Sequence, residues 1–204
     1  STNAEAVQQL ILKQARGWDS SIRELVLRVH EYTQTRSDPE DWFQRQLVSF
    51  RQPKPDEWEG WLLRGLAEWR QTWLETLQTV PPENVNAQQC REALSRLSDN
   101  VSRAQAAPIL AEILSADANW PARKKGEFRA PLKALFADAE FLQSLVELGE
   151  GRDPLLEDWN WVRPQMTTLL ELALEFSKSF ADAKRESGAL DFHDLEQFTL
   201  RLLW

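Results

Sequence analysis

The 204-residue sequence is short of the residues that build compact chemical sites and sharp turns. Its one cysteine, Cys90, excludes an internal disulfide and any zinc site made from cysteines. Two histidines, His30 and His193, leave too little imidazole for a histidine-rich metal centre. Seven glycines and ten prolines make up about 8% of the chain, against a usual ~12%. Tight turns are therefore few, which argues against a fold of many short strands. No apolar run reaches the ~18 residues of a membrane span, and no charged-then-apolar signal peptide opens the chain. These absences lead to the expectation of a cytoplasmic protein.

Recognisable catalytic motifs are missing as well. There is no G-x-x-x-x-G-K-[ST] loop to cradle nucleotide phosphates, no G-x-G-x-x-G, no H-E-x-x-H and no C-x-x-C. No serine sits in a nucleophile elbow that would make a Ser–His–acid triad credible. Two acidic groups, Asp56, Glu57 and Glu59, and Glu147, Glu150 and Asp153, lack the alternating ligands and fixed glycine of a calcium loop. They read as solvated helix ends, and no metal site is expected.

What is present is a folded, acidic chain with a helical rhythm. Hydrophobic residues make up 42% and charged residues 27%, with a net charge of −8. The expected fold class is all-α: an irregular multi-helix domain over 5–204, with room for one short hairpin near 115–130. Residues 1–4 read as a cloning remnant or a frayed end. Ala6, Val7, Leu10 and Ile11 open a helix that Gly17 ends. Ser21 to Glu24 has the form of a capping box. Asp38-Pro39 is a second start signal, with Trp42, Phe43 and Leu47 behind it. At ~100° per residue, Trp58, Trp61, Leu62, Gly65, Leu66, Trp69 and Trp73 fall on one stripe. Gly65 in that stripe suggests close approach of another backbone. Asn86 is the expected cap of the next helix, and Pro108 is expected to interrupt the one after it. Pro131 and Asp153-Pro154 open further helices, and Pro164 is expected to break or kink the last of these. Gly188 suits a helix C-terminus, and Asp191 or Asp194 begins a final helix.

Ten tryptophans invite a base-stacking role, because an indole face suits an unpaired base. Most of them share a helix face with leucines, which is the pattern of a core. Charge is distributed unevenly. Residues 121–133 hold Arg123, Lys124, Lys125, Arg129 and Lys133 against Glu127 alone, so thirteen residues carry +4 and the rest of the chain −12. This run, with Trp120 beside it, reads either as a directional contact for phosphates or as a solvated loop anchored by its tryptophan.

Two segments resemble a known family. Leu25 to Tyr32, followed by Arg36 to Trp42, is similar to a stretch of AddA-type helicase–nuclease subunits. Phe180 to Glu186, followed by Leu190 to Glu196, carries Leu-Asp-Phe-His-Asp-Leu and resembles the D-F-x-D-L signature of UvrD-like superfamily 1 helicases. In that family the two stretches bracket subdomain 1B, a helical insertion in the first motor domain. The resemblance implies a piece of a longer ATP-dependent DNA helicase and exonuclease of double-strand-break repair and recombination. The phosphate loop, the Mg²⁺-binding motif and the nuclease domain of that family are not in this sequence. The piece is thus expected to be non-catalytic and without a cofactor, with ATP and Mg²⁺ belonging to the parent. Residues 189–204 would begin the return into the motor domain. Expected partners are duplex DNA near a fork, the remaining helicase domains and an AddB-like subunit. The alternative is a protein-interaction scaffold within the complex. Asp191 and Asp194 suit a helix N-terminus, and Phe192 and Leu195 are spaced to bury on one side, so these four signature residues read as structural.

Overall fold

A computed structural model describes residues 2–55, 57–118, 129–149 and 151–203. The described residues form nine α-helices and one 3-10 turn, with no strand among them. They are α1 (Thr2–Ala15), α2 (Asp19–Gln34), α3 (Pro39–Arg51), α4 (Trp58–Gln78), α5 (Val85–Ser95), α6 (Arg103–Ala118), the turn Ala130–Leu132, α7 (Lys133–Val146), α8 (Pro154–Ser187) and α9 (Phe192–Leu203). The all-α expectation holds. The hairpin expected near 115–130 falls mostly on 119–128, outside the described residues; its described flanks are helical.

The chain divides into two compact units. One combines Ser1–Lys54 with Trp159–Trp204, and the other is the continuous stretch Pro55–Asp158. The continuous unit has the larger core. Leu66 and Leu77 of α4 join Cys90 and Leu94 of α5, Leu110 and Ile113 of α6, and Leu135 and Phe136 of α7. Burial pushes the Cys90 thiol up to about 12, helped by Asp117 and Glu112, so this side chain acts as a small apolar filler. Arg103 is buried as well. It donates to the Leu145 carbonyl at 2.8 Å and pairs with Asp153 at 2.9 Å. Asp153 also accepts from the Leu155 amide at the start of α8.

The tryptophan stripe on α4 is only partly the buried one. Leu62, Leu63, Trp69, Trp73 and Leu74 pack around Leu66 and Leu77, which rotates the core face by about 70° at 100° per residue. Trp61 is left 53% exposed. Among the described residues nothing lies within 4 Å of the place a Gly65 Cβ would take, so the expected close approach of another backbone is not seen there. The expected stripe weights indoles above leucines. Instead, Trp69 and Trp73 lie at the edge of the core and turn their Nε1–H groups to Asp138 Oδ2, at 3.2 and 3.4 Å. An indole is amphipathic, so the border of a core suits it better than the centre.

Several local signals are read by different residues than expected. The Ser21–Glu24 box does not form, because α2 has already started at Asp19. Asn84, not Asn86, caps α5, accepting from Ala87 at 3.2 Å. A capping box does form at α6. Ser102 Oγ faces the Gln105 amide at 3.4 Å, and Gln105 Oε1 accepts from the Ser102 amide at 3.0 Å. With its start secured, α6 runs through Pro108 unbroken. α8 likewise runs through Pro164. There Gln165 Nε2 gives an extra donor to the Trp161 carbonyl at 2.7 Å, in the turn where proline removes one. Asp38 behaves as read, accepting from the Asp41 amide at 2.9 Å.

In the discontinuous unit, Leu10, Ala15 and Ile22 meet Leu169 in one cluster. Phe43 and Leu47 meet Leu170 and Ala173 in another. Phe50 stacks on Trp159 at 5.3 Å, and the Trp159 Nε1–H donates to the Gln52 carbonyl at 3.0 Å.

These positions rank two substitutions on one helix. Leu66→Ala is expected to cost about 2–5 kcal/mol, as for a buried leucine. Trp61→Ala is expected to stay within about 0.5 kcal/mol. Urea denaturation followed by circular dichroism measures both, and equal costs would return Trp61 to the core.

Candidate functional site

The two segments that carry the family resemblance lie in the same unit, and the fold brings them together. Residues 25–34 are on α2, 39–42 open α3, 180–186 end α8, and 190–196 enter α9. His30 on α2 meets Phe176 and Phe180 on α8 edge-on, at 5.1 and 5.4 Å. Its Nδ1 is 2.8 Å from Ser177 Oγ. Gln197 on α9 is buried, and its Nε2 donates to the carbonyls of Gln34, at 2.7 Å, and Arg36. These carbonyls lie at the end of α2, where the helix no longer supplies donors. The sequence named His30 but no partner for it, and gave no sign of Gln197, because the partners of both are about 150 residues away.

The D-F-x-D-L signature is a turn fastened by one lysine. At the end of α8, Gly188 has φ +64°, a conformation that disfavours any residue with a Cβ. Its amide donates to Arg185, and the Ala189 amide to Lys184, closing a Schellman motif. Asp191 caps α9. Its Oδ1 accepts from the Asp194 amide at 3.0 Å, while Asp194 Oδ2 accepts from the Asp191 amide at 2.9 Å. Lys184 Nζ reaches Asp191 at 3.0 Å and both oxygens of Asp194 at 2.7 and 2.8 Å. The same ammonium sits 4.9 Å from the Phe180 ring centre.

The electrostatics follow from these contacts. Burial pulls the Lys184 ammonium down, but hydrogen bonds to Asp194 and Asp191 outweigh it and leave its pKa above 10.5. The Asp194 amide, then Lys184, hold the Asp191 carboxyl below 3.8. Burial, then Lys184, lower His30 below 6.5, so its imidazole is neutral at pH 7.

The apolar half of the signature behaves differently. Phe192 is 84% exposed and Leu195 52% exposed, so the expected burial of these two side chains does not occur within this chain. With Phe198 and Leu202 they form an open apolar face on α9.

The basic run is described in part. Trp120, Arg123, Lys124 and Lys125 lie outside the described residues. Lys133 is exposed and starts α7, whose first turn holds no acid, so its charge adds to the positive helix end. Arg129 is already engaged. Its Nε and one terminal nitrogen donate to the two Asp117 oxygens at 2.5 and 2.8 Å, and its guanidinium lies 5.7 Å from the Phe136 ring. Hydrogen bonding to Asp117 raises the Arg129 pKa. No group of three or more His, Cys, Asp or Glu among the described residues is arranged to hold a metal. No helix among the described residues is long and apolar enough to cross a membrane.

The lysine cluster yields a stability prediction. Lys184→Met strands two carboxylates beside each other and is expected to cost about 2 kcal/mol. Breaking the exposed Arg23–Asp19 pair costs under about 0.5 kcal/mol. Acid acts in two windows. A base kept neutral and an acid kept ionised by the fold both stabilise it above their unfolded pKa values. The His30 contribution is therefore lost as pH falls below about 6.5, and the Asp191 contribution below about 4. Thermal melts across pH 3–8 (a range bracketing both pKa values) are expected to lose the upper step in His30→Gln and the lower step in Asp191→Asn.

Comparison with known proteins agrees with the motifs. The chain is 49% identical over 49 residues to the AddA-type subunit of the ATP-dependent helicase/nuclease of Heliobacterium modesticaldum, covering 24% of this chain and 4% of that protein. It is 32% identical over 96 residues to the corresponding Bacillus pumilus protein, covering 47% and 7%. It is 42% identical over 55 residues to the Syntrophomonas wolfei protein, covering 26% and 4%. No family model matches the chain, and no solved structure matches it significantly. The chain spans only 4–7% of the length of these relatives. Over a quarter to nearly a half of its residues, the chain is similar to AddA-type subunits of ATP-dependent helicase/nucleases.

Proposed function

We propose that this chain is an accessory, DNA-engaging helical part of a longer ATP-dependent helicase/nuclease acting in double-strand-break repair and recombination. It corresponds to subdomain 1B of a UvrD-like motor, with residues 189–204 starting the return into the motor domain. It touches duplex backbone near the fork and is not catalytic alone. ATP and Mg²⁺ are bound elsewhere in the longer protein. Its partners are DNA, the motor domains and an AddB-like subunit. The observation that carries this proposal is the similarity to AddA-type helicase/nuclease subunits over part of the chain; beside it, the D-F-x-D-L signature builds a helix junction here. The open apolar face of α9 fits a helix that continues into a larger body.

The DNA contact is assigned to the basic run: Arg123, Lys124, Lys125 and Lys133, with Trp120 beside them. Backbone recognition needs positive charge at phosphate spacing and no base-reading side chains. This is also the segment whose charge opposes the −12 on the rest of the chain. A scaffold role is the second reading. It is favoured by an apolar groove of about 480 Å³ in the discontinuous unit, lined by Val7, Ile11, Ile22, Val26, Leu172 and Phe176.

Anisotropy with a labelled forked duplex separates the two. Engaging about three to five phosphates gives a log–log salt slope of about −3 to −4.5. Lys124→Glu with Lys125→Glu is expected to weaken binding equally for all sequences. An unchanged affinity in that double variant would make the scaffold the better account.

A second outcome concerns ATP. Without a phosphate loop or Mg²⁺ carboxylates, phosphoryl transfer has neither positioning nor charge neutralisation. The chain alone is expected neither to bind nor to hydrolyse ATP, with or without DNA. DNA-stimulated turnover by pure material would overturn the non-catalytic assignment.

A further inference from the structure

Two residues in the turn between α1 and α2 break local rules and gain no contact inside the chain for it. At the end of α1, Arg16 has φ +50°, the one positive value at a non-glycine position among the described residues. Gly17 follows at φ +88°. The Gly17 amide closes on the Ile11 carbonyl at 3.2 Å, and the Trp18 amide on the Ala15 carbonyl at 2.9 Å. A left-handed turn of this kind suits glycine or asparagine, because a Cβ crowds the following carbonyl. An arginine there is strained. Trp18 then stands at the N-cap of α2, where a short polar side chain would bond the helix amides, and it makes no such bond.

The side chains of this turn are uncommitted. Trp18 is 75% exposed, the most of any described tryptophan, and has no hydrogen bond or ring contact among the described residues. Lys13, in the last turn of α1, and Arg16 are exposed, and neither makes an ion pair among the described residues. Arg23, by contrast, is paired with Asp19 at 2.7 Å. That pair cancels, so the turn carries the positive charge of Lys13 and Arg16 on a chain whose net charge is −8. Local rules broken without a compensating contact mark functional positions.

The geometry points to this turn as a contact for single-stranded nucleic acid: Trp18 stacks on an unpaired base, while Lys13 and Arg16 meet the flanking phosphates. An indole face accepts any base and the cations follow the backbone, so the contact does not depend on sequence. A duplex keeps its base faces covered. This contact therefore uses other residues and another form of nucleic acid than the duplex contact assigned to the basic run, and it stands whether or not that assignment does.

Anisotropy of a labelled oligothymidylate, about twelve nucleotides long, at ~20 mM salt measures the contact. Trp18→Ala is expected to weaken binding by at least about fivefold, and Trp18→Phe, which keeps an aromatic face, to stay within about threefold of the parent. Arg16→Gly is the sharper test. It relieves the strained turn, so its melting temperature is expected to match or exceed the parent's, while its affinity falls and its log–log salt slope becomes shallower by about 0.7. A residue that only shapes the turn would not separate stability from affinity in this way. Lys124→Glu with Lys125→Glu is expected to leave single-strand affinity within about twofold of the parent. Parent affinity in Trp18→Ala or in Arg16→Gly overturns the inference. So does a parent that captures no oligothymidylate, which would leave the turn to a protein partner. A loss confined to the Lys124 and Lys125 double variant overturns it as well, and gives the single strand to the basic run.

Discussion

One ammonium group holds the signature region together. Lys184 Nζ joins the last turns of α8 to the cap of α9 through both Asp191 and Asp194. Around it, Gly188 turns the chain and the two aspartates exchange amide hydrogen bonds. The direction in which α9 leaves is set here, and the placement of Gln197 against the end of α2 follows from that direction. Charge is the device because the turn is too exposed for apolar packing to fix it. Two carboxylates near one lysine are costly to leave unmatched, so the arrangement tolerates few alternatives.

Local sequence chemistry was legible where it acts within a few residues. The Asp38-Pro39 start, the Gly188 stop and the Asp191 cap all appear where the spacing places them. Proline was a weaker guide. Pro108 and Pro164 both lie inside continuous helices, so one missing amide did not end either of them. Asn86 had the right chemistry but the wrong target: it bonds the end of α6 instead of the start of α5.

The candidate site was legible in residue type and not in partnership. A count of charges treats Arg129 as available for DNA, whereas the fold pairs it with Asp117. Phe192 and Leu195 have the spacing of a buried pair, but exposure depends on what lies opposite, which periodicity does not encode. On α4 the helix was evident and its rotation was not. Its apolar positions fit more than one stripe, and Leu63, Leu74 and Leu77 decide between them.

The division of the chain into a continuous and a discontinuous unit also sets an order of assembly. Helices α4 to α7 meet neighbours close in sequence, so their unit acquires its contacts as soon as it is synthesised. The other unit must wait. Its His30–Ser177 and Gln34–Gln197 pairs span 147 and 163 residues. Until α8 and α9 emerge, α2 presents an uncovered apolar face and unpaired carbonyls. During translation, which adds ~5–20 residues per second, that exposure lasts on the order of ten seconds or more, a window in which a chaperone or a neighbouring chain has access to it.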